Sequence, residues 1–158
     1  MGHFSCETKW TGGQGFEAQT RGHRFVMDTK KESGGNDQGP TPKEVLLASI
    51  CACSGIDVVS ILQKMRIDLQ ACDITSETET TSGYPAIFNE VLLKFRVKSS
   101  DAKEAQVMKA VTLSMTKYCG VSAMVVSTSP IKYQVFLNEQ LIGEGRADFS
   151  EALAEAKI

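Results

Sequence analysis

The chain has 158 residues, 42% hydrophobic and 23% charged, and carries a formal net charge of −2. That length supports one domain with a substantial core, and the composition is that of an ordinary globular protein. The near-neutral charge leaves no electrostatic footprint for nucleic acid, and the scattered Lys and Arg residues leave no polybasic run for a membrane surface.

The segment Met1-Gly2-His3-Phe4-Ser5-Cys6-Glu7 lacks a basic region followed by an apolar stretch, so the sequence reads as having no signal peptide. Five cysteines without an export signal point to reduced thiols in the cytoplasm, and the odd count excludes a fully paired disulfide framework.

Short alternating runs separated by Gly12-Gly13-Gln14-Gly15 and Arg21-Gly22-His23 predict three strands, around 4–10, 15–20 and 24–28. Ser33-Gly34-Gly35-Asn36-Asp37-Gln38-Gly39-Pro40 reads as a mobile loop. It lacks the Lys-Ser/Thr pair of a phosphate-binding P-loop. A helix then starts with strong signals: Thr41 as N-cap, Pro42 at the first helical position, and Glu44 completing a capping box. It runs to about Met65 and is apolar around most of its circumference. Such a helix is expected to be buried on several sides, by a sheet or by a partner subunit. The stretch Val45 to Leu62 is long enough to test as a membrane span. Asp57 and three serines within it favour a core helix, because a charge at the centre of a span costs at least ~2.5 kcal/mol.

Cys72 to Thr80 predicts a threonine-rich strand, ended by Ser82-Gly83-Tyr84-Pro85. Asn89 to Val97 alternates well, with Val91, Leu93, Phe95 and Val97 on one face and Lys94, Arg96 and Lys98 towards the other. Ser100 or Asp101 caps a second helix through about Tyr118, Gly120 interrupts it, and a short helical stretch continues to about Val126. Ile131 to Leu137 is a last strong strand, and Phe149 to Ala156 a small amphipathic helix. Two clusters of strands around two buried helices give an α+β class. The chain reads as a single domain over 1–158.

Chemistry is concentrated in two cysteines, Cys53 in the apolar helix and Cys119 in Lys117-Tyr118-Cys119-Gly120-Val121-Ser122. Thiols on separate helices can form a reversible disulfide across a packed interface. Cys51 and Cys53 are two residues apart, so on a helix they point ~200° from each other and cannot serve one site together. Cys51, Cys6 and Cys72 read as small core hydrophobes. A zinc site from these with His3 and His23 lacks ligand spacing, and no metal is expected. No His lies in either cysteine motif, which leaves a Cys–His hydrolase dependent on His23 alone.

Ser49 and Asp57 lie four residues before and after Cys53, giving a polar seam on one helix face. Buried polar groups need partners. An anionic Asp57 by itself raises the thiol pKa, so a reactive Cys53 requires a cation. Arg21, Arg24, Lys43 or a residue of a second subunit are the candidates.

The Pro-x-Glu-x-Leu-Leu helix start, the Cys eleven residues after that Pro, and the later Tyr-Cys-x-Val-Ser resemble the OsmC/Ohr superfamily. Gly22-His23, Met27-Asp28, the run Cys53 to Lys64, and Lys117-Tyr118-Cys119 are most similar to its YhfA-like branch. The resemblance covers roughly residues 5–137, leaving about 138–158 as a C-terminal extension. It implies the OsmC-like fold, with sheets wrapped around two central helices in an intertwined homodimer. It also implies a cofactor-free thiol peroxidase acting on organic hydroperoxides. Cys53 would be oxidised by the peroxide, Cys119 would form a disulfide with it, and a dithiol reductant would restore both.

The chain departs from that pattern at the helix start. The peroxidase branches have a Glu directly after the Pro, paired with a catalytic Arg. Here Lys43 holds that position, and Glu44 follows one residue later, turned by ~100° around the helix. Arg21 and Arg24 are both available as the Arg. Glu44 and Asp57 are the acidic candidates for an auxiliary role. The departure opens a second reading, a redox-sensing or small apolar ligand-binding protein without turnover.

Overall fold

The computed structural model describes residues 2–156. The chain divides into two compact units, one up to Leu47 and one from Ala48.

The first unit is built on an antiparallel sheet of β1 (Glu7–Gly12), β2 (Gly15–Thr20) and β3 (His23–Met27), in that order. Its first strand begins later than the sequence predicts, because pairing with β2 starts only at Glu7↔Gln19. Arg21 turns the chain between β2 and β3 with φ 48°, followed by Gly22 at φ 82°. This is the paired positive-φ geometry of a tight hairpin turn.

The loop read as mobile instead has its own framework. Asp28 is 1% exposed, and its carboxylate accepts the N–H groups of Thr29 (2.7 Å), Asn36 (3.0 Å) and Gln38 (3.2 Å). The Asp28 N–H donates to the Pro40 carbonyl, closing the loop at its base. Burial is the largest single influence on the Asp28 pKa and raises it. The three N–H donors together outweigh it and hold the carboxyl below its ordinary value. Gly39 is required by close approach: a Cβ there would lie 2.3 Å from the Val26 carbonyl oxygen.

Helix α1 (Pro42–Lys64) crosses from one unit into the other. Its capping box forms as the sequence predicts. The Thr41 N–H and hydroxyl donate to Glu44 Oε2 at 2.7 and 2.9 Å, and the Glu44 N–H donates to Thr41 Oγ1 at 3.4 Å.

The second unit holds a four-stranded sheet in the order β4 (Leu69–Thr80), β5 (Phe88–Ser99), β6 (Ile131–Leu137), β7 (Gln140–Arg146). The pairs β4–β5 and β6–β7 are antiparallel, and β5–β6 is parallel. A parallel pair needs a crossover, supplied by α2 (Glu104–Leu113), one π-helical stretch (Ser114–Tyr118) and α3 (Gly120–Val125). A last helix, α4 (Ser150–Glu155), follows the sheet. The alternation in β5 is realised: Val91, Leu93, Phe95 and Val97 are buried and Lys98 is exposed. The ring of Phe95 meets Tyr133 edge to face at 6.4 Å.

Helix α1 packs on β4 through Gly55, where a Cβ would meet Ile74 at 2.8 Å. Its buried residues are Ile50, Ser54, Gly55, Val58 and Leu62, a single stripe with four-residue spacing. Burial on several sides is therefore not achieved within one chain. Ile56 stays 67% exposed, because the sheet offers α1 one face only.

Three further differences from the sequence reading have local causes. Helix α2 starts at Glu104 rather than after Ser100 or Asp101, because the Ser99 hydroxyl accepts the N–H groups of Asp101 and Ala102 in a separate turn. The helical break lies at Cys119, in extended conformation with ψ 95°, and not at Gly120. Strand β7 escaped the sequence reading, since its two glycines interrupt the apolar alternation.

Two substitutions probe these packings. Gly39→Ala, forced against backbone that cannot yield, should destabilise by ~1–3 kcal/mol in urea unfolding. Phe95→Ala, at a position with 0% exposure, should cost ~3–5 kcal/mol in the same measurement.

Candidate active site

Cys53 is half-buried on α1, and Cys119 is fully buried where the π-helical stretch gives way to α3. The two thiols lie close enough for Cys53 to influence the ionisation of Cys119, and neither is in a disulfide. They come together because Cys119 is the N-cap of α3. Its sulfur accepts the Ser122 N–H at 3.4 Å, and its S–H donates to the Ser122 hydroxyl at 3.0 Å. An N-cap residue leaves the helical path, and this one faces α1.

Burial pushes the Cys119 pKa up to about 11. The two Ser122 groups oppose the rise, while the neighbouring Cys53 adds to it. At neutral pH Cys119 is therefore a thiol and not a thiolate.

The polar seam is also partnered. Asp57 Oδ2 accepts the Ser114 hydroxyl at 3.0 Å, and the Ser54 carbonyl oxygen is a longer acceptor for the same hydroxyl at 3.4 Å. Burial raises the Asp57 pKa, and the Ser114 hydrogen bond partly offsets this. The Ser54 hydroxyl returns to its own helix, to the carbonyls of Ile50 (2.8 Å) and Cys51 (3.1 Å).

The remaining candidates are distributed as follows. Cys53, Asp57 and Cys119 lie in the unit from Ala48, whereas Arg21, Arg24 and Glu44 lie in the unit up to Leu47. Arg24 pairs with Glu17 at 3.7 Å, and Arg21 occupies a hairpin turn. Glu44 is held by its capping box. The Thr41 N–H and hydroxyl keep its pKa low, aided by Lys30. Cys6 is exposed, which corrects its reading as a core residue; it sits in the chain preceding β1, with exposed residues on both sides. Cys72 is half-buried, and burial followed by the charge of Asp73 raises its pKa to about 11. Among the described residues no group of three or more His, Cys, Asp or Glu side chains is placed to hold a metal ion.

The sequence reading did not single out Ser114 or assign Ser122 a role. Ser122 could have been found from its capping distance, three residues beyond Cys119. Ser114 has no such signal, because its relation to Cys119 depends on a π-helical turn.

The family model described as OsmC-like protein matches residues 34–134, a span that holds both cysteines and the crossover between β5 and β6. The chain belongs to the OsmC-like protein family. It is 39% identical to Protein YhfA of Escherichia coli strain K12 over 120 residues, covering 75% of this chain and 87% of that protein. A hypothetical protein from Aquifex aeolicus VF5 superposes with a TM-score of 0.74 at 29% identity, over 88% of this chain and all of that one. An organic hydroperoxide resistance protein from Elizabethkingia anophelis shares the fold, with a TM-score of 0.65 at 19% identity over 87% of this chain and 98% of that one. The mixed helix-and-sheet architecture is thus the OsmC-like fold.

The raised thiol pKa values have a consequence for stability. Both Cys119 and Cys72 ionise near 11 when folded but near 9 when unfolded. The unfolded chain loses these protons first, so stability is intact below pH 9 and declines as pH rises towards about 11. Thermal melts of the reduced protein should show this fall, and Cys72→Ala should make it shallower.

Proposed function

We propose that the protein is a thiol-dependent peroxidase that reduces organic hydroperoxides through a Cys53/Cys119 redox pair. The observation that carries this reading is the proximity of two free thiols, one on α1 and the other at the N-cap of α3. Cys53 as thiolate attacks the O–O bond and takes one oxygen to become a sulfenic acid. The peroxide's other oxygen leaves and is protonated to the alcohol. Cys119 then bonds to the Cys53 sulfur, and the displaced hydroxyl leaves as water with the Cys119 proton. A small dithiol returns both thiols by exchange and is itself oxidised to a disulfide. The Cys53 thiolate requires a positive group to favour it, for which Arg21, Arg24, Lys43 and a residue of a second subunit are the candidates, and the reaction takes place in the reducing cytoplasm.

The same reading includes a homodimer. Helix α1 has a mean hydropathy of 2.2 over its most apolar window, yet only 28% of that window is buried. By length and composition it could cross a membrane; we assign its uncovered face to a second copy. Met124, 74% exposed, and Tyr118, 51% exposed, add apolar area on segments beside Cys119. The names of structural relatives concerned with organic hydroperoxide resistance support the substrate class.

A second reading follows from Lys43 standing where the peroxidase branches carry a Glu, while Glu44 is committed to the cap. The fold would then serve as a redox sensor or bind a small apolar ligand without turnover. Thermal shifts across a panel of lipids and hydroperoxides, with no accompanying consumption, would favour it.

Two measurements test the peroxidase and dimer. With dithiothreitol or a dihydrolipoyl reductant, the wild type should consume cumene hydroperoxide, and Cys53→Ser should fall to the uncatalysed background. Equal rates for the two would sink the peroxidase reading. In sedimentation velocity the wild type should run as a dimer and Ile56→Glu, which places a charge on the uncovered face, as a monomer.

A further inference from the structure

Ser114 makes two connections that no other residue of the crossover is seen to make together. Its main-chain carbonyl accepts the Cys119 N–H at 3.0 Å, the hydrogen bond that closes the π-helical turn. Its side-chain hydroxyl donates to Asp57 Oδ2 at 3.0 Å, with the Ser54 carbonyl at 3.4 Å. Ser54 and Asp57 belong to α1, directly after and four residues after Cys53. One fully buried residue therefore grips the helix that carries the first thiol and the turn that carries the second.

The π-helical turn makes this grip consequential. It spaces the hydrogen-bonded groups five residues apart instead of four. Relative to a continued α-helix, the residue at its end is displaced around the axis by ~100°. The turn sets the direction in which Cys119 leaves the helix, and its first residue is the one tied to Asp57. A hydroxyl buried this deeply is costly to leave without an acceptor, so the contact resists being broken.

We propose that Ser114 and Asp57 are positioning residues that set the effective concentration of Cys119 at Cys53, and so the stability of the disulfide between them. The proposal rests on the thiol-pair reading above. Neither residue exchanges electrons. When the pair is oxidised by glutathione disulfide, both thiols lose a proton and together two electrons. The Cys53–Cys119 bond forms, the S–S bond of the oxidant breaks, and two glutathione thiols are released. Pre-alignment favours the intramolecular product, because the ordering has already been achieved in the reduced state.

The test is redox equilibration of the full-length protein against glutathione, with the Cys53–Cys119 bond identified by mass spectrometry of digested samples. Ser114→Thr and Ser114→Val have nearly the same shape and differ in the hydroxyl. Ser114→Thr should keep the wild-type midpoint. Ser114→Val should lower the disulfide equilibrium constant by at least about tenfold, a shift of about 30 mV to more positive potential. Asp57→Asn retains an acceptor and should stay with the wild type, whereas Asp57→Ala should move in the direction of Ser114→Val. The Asp57 pair decides the matter if the buried Ser114→Val fails to fold. Identical midpoints for the hydroxyl-bearing and hydroxyl-free variants, or for the two Asp57 variants, would overturn the positioning role while leaving the thiol pair intact. A wild-type protein that forms no Cys53–Cys119 bond would overturn the pair itself and the proposal with it.

Discussion

The contact between the Ser114 hydroxyl and Asp57 constrains everything around the cysteines. It joins α1 to the crossover within a largely apolar core. In such surroundings a polar group has one acceptable arrangement, the one that gives it a partner. In the positioning role proposed above, that requirement sets the rotation of α1 relative to the crossover and so the approach of Cys53 to Cys119. Apolar packing by itself tolerates a range of rotations at small cost.

The sheet supplies the frame in which this contact is made. Because β5 and β6 run parallel, the chain between them must cross one face of the sheet. The crossover lays α2 on the face where Val91, Leu93, Phe95 and Val97 point inward. Met108 of α2 reaches β7 at Gly143, as Ile74 of β4 meets α1 at Gly55. Both helices thus rest on the same apolar layer, and the polar seam is the line between them. The opposite face carries Lys94, bound to Glu77 at 2.7 Å, and Arg96, stacked over Phe136 at 4.5 Å. These exposed pairs shape the surface and add little to stability.

The burial of the thiols is asymmetric in a way that suits sequential chemistry. Cys119 is buried and kept protonated, so it carries no charge into the apolar layer in the resting state. Cys53 is half-buried. In the proposed cycle the outer thiol meets the peroxide, and the inner one acts only when a sulfenic acid has formed beside it. The departure at Lys43 bears on the first of these steps, where a positive group must favour the thiolate. The link between Ser114 and Cys119 bears on the second.

Much of this was legible in the residues. The capping box of Thr41 and Glu44 identifies the start of α1, because its signal lies within one turn of chain. The alternation of β5 gave the inward face, and the family motifs singled out Cys53 and Cys119. Interactions separated in sequence were not legible. Asp28 anchors a loop that composition alone marks as mobile, through donors eight and ten residues away. The partner of Asp57 lies fifty-seven residues along the chain, and nothing near Ser114 announces it. The register of the π-helical turn was equally hidden, since its residues are ordinary helix formers. Local hydrogen bonds and periodicity are written in neighbouring residues, so the sequence by itself determined the elements and the reactive thiols. Which buried polar group meets which depends on how those elements pack, and only the tertiary structure decided that.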